Sequence, residues 1–336
     1  VAIVSRSSRP NVDVDYLFAQ VKIDRAMVDT SPNCGNMLAG VGPFAIEQGL
    51  VPATDGTTTV RVFNVNTGSR IDAVVQTPGG RVTYVGDTRI DGVAGTGAPI
   101  RLDFLDAWGA VTGAVFPTGR RIDVIDGVEM TCIDAAMPLM IVRAPDLGVN
   151  GHETPEELDV HPTLRPRLES LRLQAGRAMG LGDVSGSVLP KPVLVSEGDT
   201  AGSVTSRYFT PHRCHTSHAV TGAIGVATAF ALPGTVASAR EVTPGASEVA
   251  VLHPQGRIEV EVEVAEWDGE IVMKRASLVR TARKILQGDL HLPDYVFSRD
   301  GSSAGLIEGT ADSTARADRV RPVKLIVPTP AAGAND

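Results

Sequence analysis

Two stretches of the 336-residue chain gather side chains able to do chemistry immediately before an apolar run. The first, Ser31-Pro32-Asn33-Cys34-Gly35-Asn36-Met37-Leu38-Ala39-Gly40-Val41-Gly42, sets a thiol at a polar-to-apolar junction that reads as the opening of a helix. Unpaired amides and the positive end of a helix dipole lower a thiol pKa and also hold an anion, so one position could supply a reactive sulfur and a carboxylate cradle together. Gly35 would let a ligand come close to the backbone. A packed, inert cysteine is the other reading of Cys34.

The second stretch, Pro211-His212-Arg213-Cys214-His215-Thr216-Ser217-His218, is dense in ionisable groups and precedes a wholly apolar segment. If the two openings face each other across an interface, a common place for a ligand pocket, Arg213 or the histidines would meet anionic groups. A zinc site competes, because Cys214 and His218 share a helical face with His212 and His215 close by. Against it, no second Cys or His pair stands at ligand spacing elsewhere. Capping and surface polarity are the plain structural alternative. Neither a Gly-x-Gly-x-x-Gly nor a Walker lysine occurs in the glycine-rich segments Gly109 to Gly119 and Gly180 to Gly186. A Gly-x-Ser-x-Gly elbow is absent too, and Cys132 inside Met130 to Ile133 reads as packing.

The elements that must position these groups are short strands and two small-residue helices. Cys34 to Gly49 and Cys214 to Leu232 are too long for strands and rich in Gly and Ala, so they are expected to be buried helices enclosed by a curved sheet. Strands are expected at Val14 to Val21, Val60 to Phe63, Arg70 to Val75 and Ile258 to Val264, the last alternating with period two. The segments Val60 to Val75 and Val249 to Val264 share one plan, an apolar strand, a turn with Gly68 or Gly256, and an alternating strand. Two related halves follow. Glu156 to Ala178, with Leu164, Leu168, Leu171 and Ala175 in register, reads as an amphipathic surface helix. From Ser298 onward the composition is linker-like.

Thirty-five Gly and 22 Pro without a triplet period exclude a helical bundle, a coiled coil and collagen. No apolar run reaches the roughly 18 residues of a membrane span, so no membrane partner is expected. The 39 acidic against 31 basic residues argue against nucleic acid. Three cysteines in so long a chain point to a reducing, cytoplasmic setting. The sequence opens at Val1 without a methionine, and a start upstream is expected.

The run Asn33-Cys34-Gly35-Asn36-Met37-Leu38-Ala39-Gly40-Val41-Gly42-Pro43-Phe44-Ala45 resembles the family of 4-oxalomesaconate tautomerases and 2-methylaconitate cis-trans isomerases, which have the diaminopimelate epimerase fold. Agreement extends to Asp13 to Val21, Gly86-Asp87-Thr88-Arg89-Ile90-Asp91-Gly92-Val93, Pro211-His212-Arg213-Cys214-His215 and Val279-Arg280-Thr281-Ala282-Arg283, and covers Val1 to about Leu292. The resemblance implies an α+β fold of two similar domains, each a barrel-like, mostly antiparallel sheet around a central helix, with the site between them. The expected halves are residues 1–96, lacking N-terminal strands, and 97–292, with 293–336 as a tail.

The reaction implied is a cofactor-free allylic 1,3-proton shift in an unsaturated tricarboxylate, with no metal. Cys34 matches the family's active-site cysteine. Asn33, Gly35, Asn36 and Met37 on one side, and His212, Arg213, Cys214, His215, Thr216 and Ser217 on the other, are expected to bind substrate. The family's catalytic lysine stands just before the strand matched by Val1 to Val4, and none of Lys22, Lys191, Lys274, Lys284 or Lys324 takes its place. Ala135 replaces the family's usual asparagine. Weak or no turnover by this chain is therefore expected, and a non-catalytic tricarboxylate-binding relative is the alternative from another class. Isomerisation of 2-methylaconitate is the alternative within the family. An exposed sheet edge would favour a homodimer.

Overall fold

A computed structural model describes residues 1–21, 27–30, 33–210, 212–238, 245–268 and 270–288. The strand-like opening of the chain forms β1 (Ala2–Arg6) and β2 (Val14–Phe18), followed by a small ribbon, β3 (Gln20–Val21) and β4 (Val28–Asp29). Next come α1 (Gly35–Leu38), α2 (Val41–Glu47), and the hairpin β5 (Gly56–Asn64) and β6 (Ser69–Thr77). A second ribbon, β7 (Thr88–Arg89) and β8 (Thr96–Gly97), precedes β9 (Ile100–Phe104), β10 (Asp123–Ile125), β11 (Val128–Asp134) and β12 (Pro138–Arg143). The rest comprises α3 (Pro155–Val160), α4 (Leu164–Ala178), β13 (Lys191–Glu197), β14 (Ser203–Tyr208), α5 (Val220–Ala231), β15 (Gly245–His253), β16 (Gly256–Trp267) and β17 (Glu270–Arg280).

One pairing plan occurs twice along the chain. In each, a strand runs parallel to the first arm of a hairpin, and the crossover between them carries the buried helix. Val14 of β2 stands opposite Val62 of β5, with α1 and α2 on the crossover. Ser203 of β14 stands opposite Ala250 of β15, with α5 on the crossover. The hairpins β5–β6 and β15–β16 close at Asn64–Ser69 and His253–Gly256. β9 pairs antiparallel with both β6 and β17, so the halves share one 13-stranded sheet. The main apolar cluster likewise draws residues from both sides of position 96.

Burial follows the period-two pattern: Ile258, Val260, Val262 and Val264 of β16 face inward and the glutamates between them outward. α5 is buried on all sides, which its small residues permit. A Cβ on Gly225 would lie 2.3 Å from Leu139 Cδ1, so the sheet rests on bare helix backbone there. Cys132 is buried in the second apolar cluster.

Three helix expectations are revised. The first small-residue helix is interrupted at Ala39 and Gly40, leaving α1 only four residues long. The second begins at Val220 rather than Cys214, because Cys214 forms a bridge with Phe209 and the His215 amide donates to the Tyr208 carbonyl at 2.7 Å. The amphipathic segment splits into α3, capped by Thr154 and Glu157, and α4, since His161-Pro162 stops the first helix. Residues from Ser298 onward lie outside the described residues. No helix of the described residues is long and apolar enough to cross a membrane.

Arg172 of α4 is wholly buried and ties that helix to the segment before β13. Its guanidinium binds the Glu169 carboxylate at 2.7 and 2.8 Å and donates to the carbonyls of Val184, Ser187 and Leu189. Arg172→Met would leave those carbonyls without their donor, and a loss of roughly 3–5 kcal/mol in stability is expected from denaturant titration.

Candidate active site

The two helix openings meet. A Cβ placed on Gly35 at the start of α1 would lie 2.7 Å from both Cβ and Cγ1 of Val220, the first residue of α5. Only glycine allows that approach. Cys34, half-buried at the N-cap of α1, has its carbonyl held by the Tyr16 hydroxyl of β2 at 3.0 Å and the Leu38 amide at 3.2 Å. Burial, followed by the charge of Cys34, pushes the Tyr16 phenol pKa up, so Tyr16 acts as a donor. Because α1 has four residues, it offers local amides and little of the dipole expected from a long helix.

An open cleft lies beside this junction. Asn36 and Ala39 line it from the first opening, Ser217 and His218 from the approach to α5. Ile90, Asp91 and Val93 come from the turn after β7. The ends of the second half's strands add His253 and Ile258 of the β15–β16 hairpin, then Arg280 and Thr281. Asp91 is fixed there by the Arg257 amide, 3.0 Å from Oδ2.

Arg280 is 8% exposed, and its Nη1 donates to the Val279 carbonyl at 2.8 Å. Among the described residues no ion pair includes it. Desolvation brings its pKa down to about 10, which leaves it charged at neutral pH. His253 accepts the Gln255 amide on Nδ1 at 3.2 Å. Burial and then Arg280 push its pKa down to about 4. His218 sits 2.9 Å from the Ala219 carbonyl through Nδ1 and 2.9 Å from Ser206 Oγ through Nε2, and burial pushes it down to about 3.

Both rings therefore fold neutral. Between about pH 6.5, the ordinary histidine value, and pH 4 the unfolded chain binds protons that the folded rings refuse, so stability is full above this window and falls on acidification. The expected slope is about 1.4 kcal/mol per pH unit for each ring. Thermal unfolding at stepped pH should show it, with a flatter profile for the double variant His218→Gln, His253→Asn.

Of the residues expected from sequence, Asn36 and Ser217 line the cleft and Gly35 forms the contact between the openings. Cys34 lies two residues before Asn36 and is not itself in the lining. Asn33 is half-buried, with its Oδ1 buried and without a hydrogen-bond partner. The structure moves others away. Met37 packs into the main apolar cluster. Cys214 is buried in the second cluster, its amide bonded to Asp159 and its thiol pushed up to about 12 by burial. His212 and Arg213 are exposed and outside the lining, because the bridge between Phe209 and Cys214 turns this segment outward before it reaches α5. His215 is half-buried, accepts the Ser217 amide on Nδ1 at 3.0 Å and stacks edge-on against Tyr208, while Thr216 is half-buried nearby. Among the described residues no three His, Cys, Asp or Glu side chains are grouped to hold a metal ion.

His253 and Arg280, absent from the sequence-derived site, follow a legible signal. Val249, Val251 and His253 alternate on the buried face of β15, as Ala276, Leu278 and Arg280 do on β17. Each strand thus ends in an inward-facing polar residue.

The family described as PrpF protein matches residues 1–293. The chain is 54% identical over 295 residues to YbhH of Escherichia coli (strain K12), spanning 87% of this chain and 83% of that protein. It is 49% identical over 290 residues to the 4-oxalomesaconate tautomerase of Pseudomonas putida, spanning 86% of this chain and 79% of that enzyme. The crystal structure of methylitaconate-delta-isomerase is similar with a TM-score of 0.73 and 34% identity, over 85% of this chain and 79% of that one.

Proposed function

The chain belongs to the PrpF protein family and is an isomerase, and from that premise we propose that it catalyses a cofactor-independent allylic 1,3-proton shift in an unsaturated tricarboxylate of the 4-oxalomesaconate kind. The observation that carries this reading is Arg280, a buried cation in the cleft with no carboxylate partner among the described residues. Desolvating a guanidinium without a counter-charge is costly, and a substrate carboxylate supplies that charge in bidentate geometry.

In such a shift a base takes a proton from a carbon next to a conjugated carbonyl, and the C–H electrons spread into a dienolate. A proton then adds two carbons away, so the double bond moves and the atoms balance. We assign one of the two transfers to Cys34. Asn36, Ser217 and Thr281 offer neutral donors around the anion. The three cysteines form no disulfide, which fits a reducing, cytoplasmic setting.

Among the described residues no lysine lines the cleft, and slow turnover beside normal binding is what we expect of this chain. The same observation favours a second reading, a tricarboxylate-binding relative. Calorimetric titration with 4-oxalomesaconate, 2-methylaconitate and a monocarboxylate, with the double-bond shift followed by absorbance, tests both. The oxo-tricarboxylate is expected to bind tightest and the monocarboxylate not at all. Equal binding of all three, or none, would contradict the assignment of substrate class.

A further inference from the structure

His253 closes β15, and the way its ring is held decides which nitrogen carries the proton. The Gln255 amide meets Nδ1 at 3.2 Å, and a backbone N–H can only donate, so Nδ1 is the acceptor. Ser217 Oγ approaches the same atom at 3.5 Å. A neutral ring accepting on Nδ1 bears its hydrogen on Nε2. His218, whose ring centroid lies 6.3 Å away, is the opposite case: Nδ1 donates to the Ala219 carbonyl and Nε2 accepts from Ser206, so both of its nitrogens are spent inside the protein. Among the described residues, no acceptor is recorded for the Nε2–H of His253, although the ring lines the cleft with Asn36, Ser217 and Arg280.

Resting on the reading of the cleft as a tricarboxylate site, we propose that His253 is the neutral electrophile of the reaction, its Nε2–H donating to the oxygen that gains charge as the allylic C–H bond breaks. The hydrogen stays on Nε2 throughout. The departing proton goes to the base, the electron pair to the dienolate oxygen, and the carbonyl re-forms when the second carbon is protonated. A neutral donor fixed in this way stabilises the developing oxyanion in a partly water-excluded site without needing to reorient. Arg280, beside it, holds the carboxylate that keeps this oxygen in register.

Two substitutions separate this role from a structural one. His253→Asn keeps an acceptor for the Gln255 amide but removes the donor at the Nε2 position. His253→Gln restores an N–H near Nε2 and gives up the Nδ1 acceptor. Solvent-deuterium exchange at the allylic carbon of 4-oxalomesaconate is expected to slow about 100-fold in the asparagine variant and to recover to within about 10-fold of the parent with glutamine. Affinity should change little in either. The reverse rescue, asparagine active and glutamine inert, would overturn the proposal. Ring nitrogen-15 spectra of the parent chain give a readout that survives misfolding of a variant: a neutral ring protonated on Nε2 at pH 7 is expected, and an imidazolium or an Nδ1-protonated ring would overturn it. Failure of the parent to bind tricarboxylate would remove the reading of the cleft as well, whereas normal binding with the wrong rescue pattern removes this proposal alone.

Discussion

Arg280→Met is expected to weaken binding of an unsaturated tricarboxylate about 100-fold while leaving the unliganded protein as stable as before, or more so. The guanidinium is buried, keeps its charge at neutral pH, and donates to one backbone carbonyl of its own strand. Hydrogen bonds between charged groups contribute about 1.5–3 kcal/mol each, so a bidentate pair lost to methionine accounts for at least two orders of magnitude in affinity. The opposite sign for the unliganded state follows from the same burial, since removing an uncompensated charge relieves its desolvation. Calorimetry and thermal unfolding, each with and without ligand, separate the two effects. Undiminished binding by the methionine variant would show that the carboxylates are held elsewhere.

Cys34→Ala should slow solvent-deuterium exchange into the substrate by 100-fold or more, the scale on which a positioned acid–base group acts, with affinity within a few-fold of the parent. Cys132→Ala and Cys214→Ala serve as contrasts. Both of those thiols are buried, each in the second apolar cluster, and burial pushes both up, Cys214 to about 12, so neither is ionised at neutral pH. Their removal should cost stability through packing and leave the exchange rate of folded protein unchanged.

The repeated plan of the fold was legible because it is local: a hairpin of alternating strands after a small-residue helix occurs at Val60 to Val75 and again at Val249 to Val264. The join between the halves was not. β9 and β17 lie far apart in sequence, and their pairing depends on the whole sheet closing. Helix limits failed where backbone amides found partners outside the helix, as at His215, or where proline and glycine interrupted the run, as at Pro162 and Gly40.

At the site, the meeting of Gly35 with Val220 could be anticipated from two polar helix openings in a repeated fold. Which polar residues reach the cleft could not, because reversal of the chain at Phe209 and Cys214 sends His212 and Arg213 outward. Arg280 and His253 carried a period-two signal. Their types were masked by the strands they end, since an inward-facing cation gains meaning only once the fold shows that, among the described residues, no carboxylate pairs with it.

A tricarboxylate in the cleft where the two openings meet would lie beside the α1 opening that carries Cys34. Mass-spectrometric mapping of alkylation by iodoacetamide, with and without saturating 4-oxalomesaconate, tests that most directly and requires no turnover. Cys34 should be alkylated well ahead of Cys132 and Cys214, and the ligand should slow its labelling at least about 10-fold in the parent chain and not in Arg280→Met. Labelling of Cys34 at the same rate with and without ligand in the parent chain would contradict it.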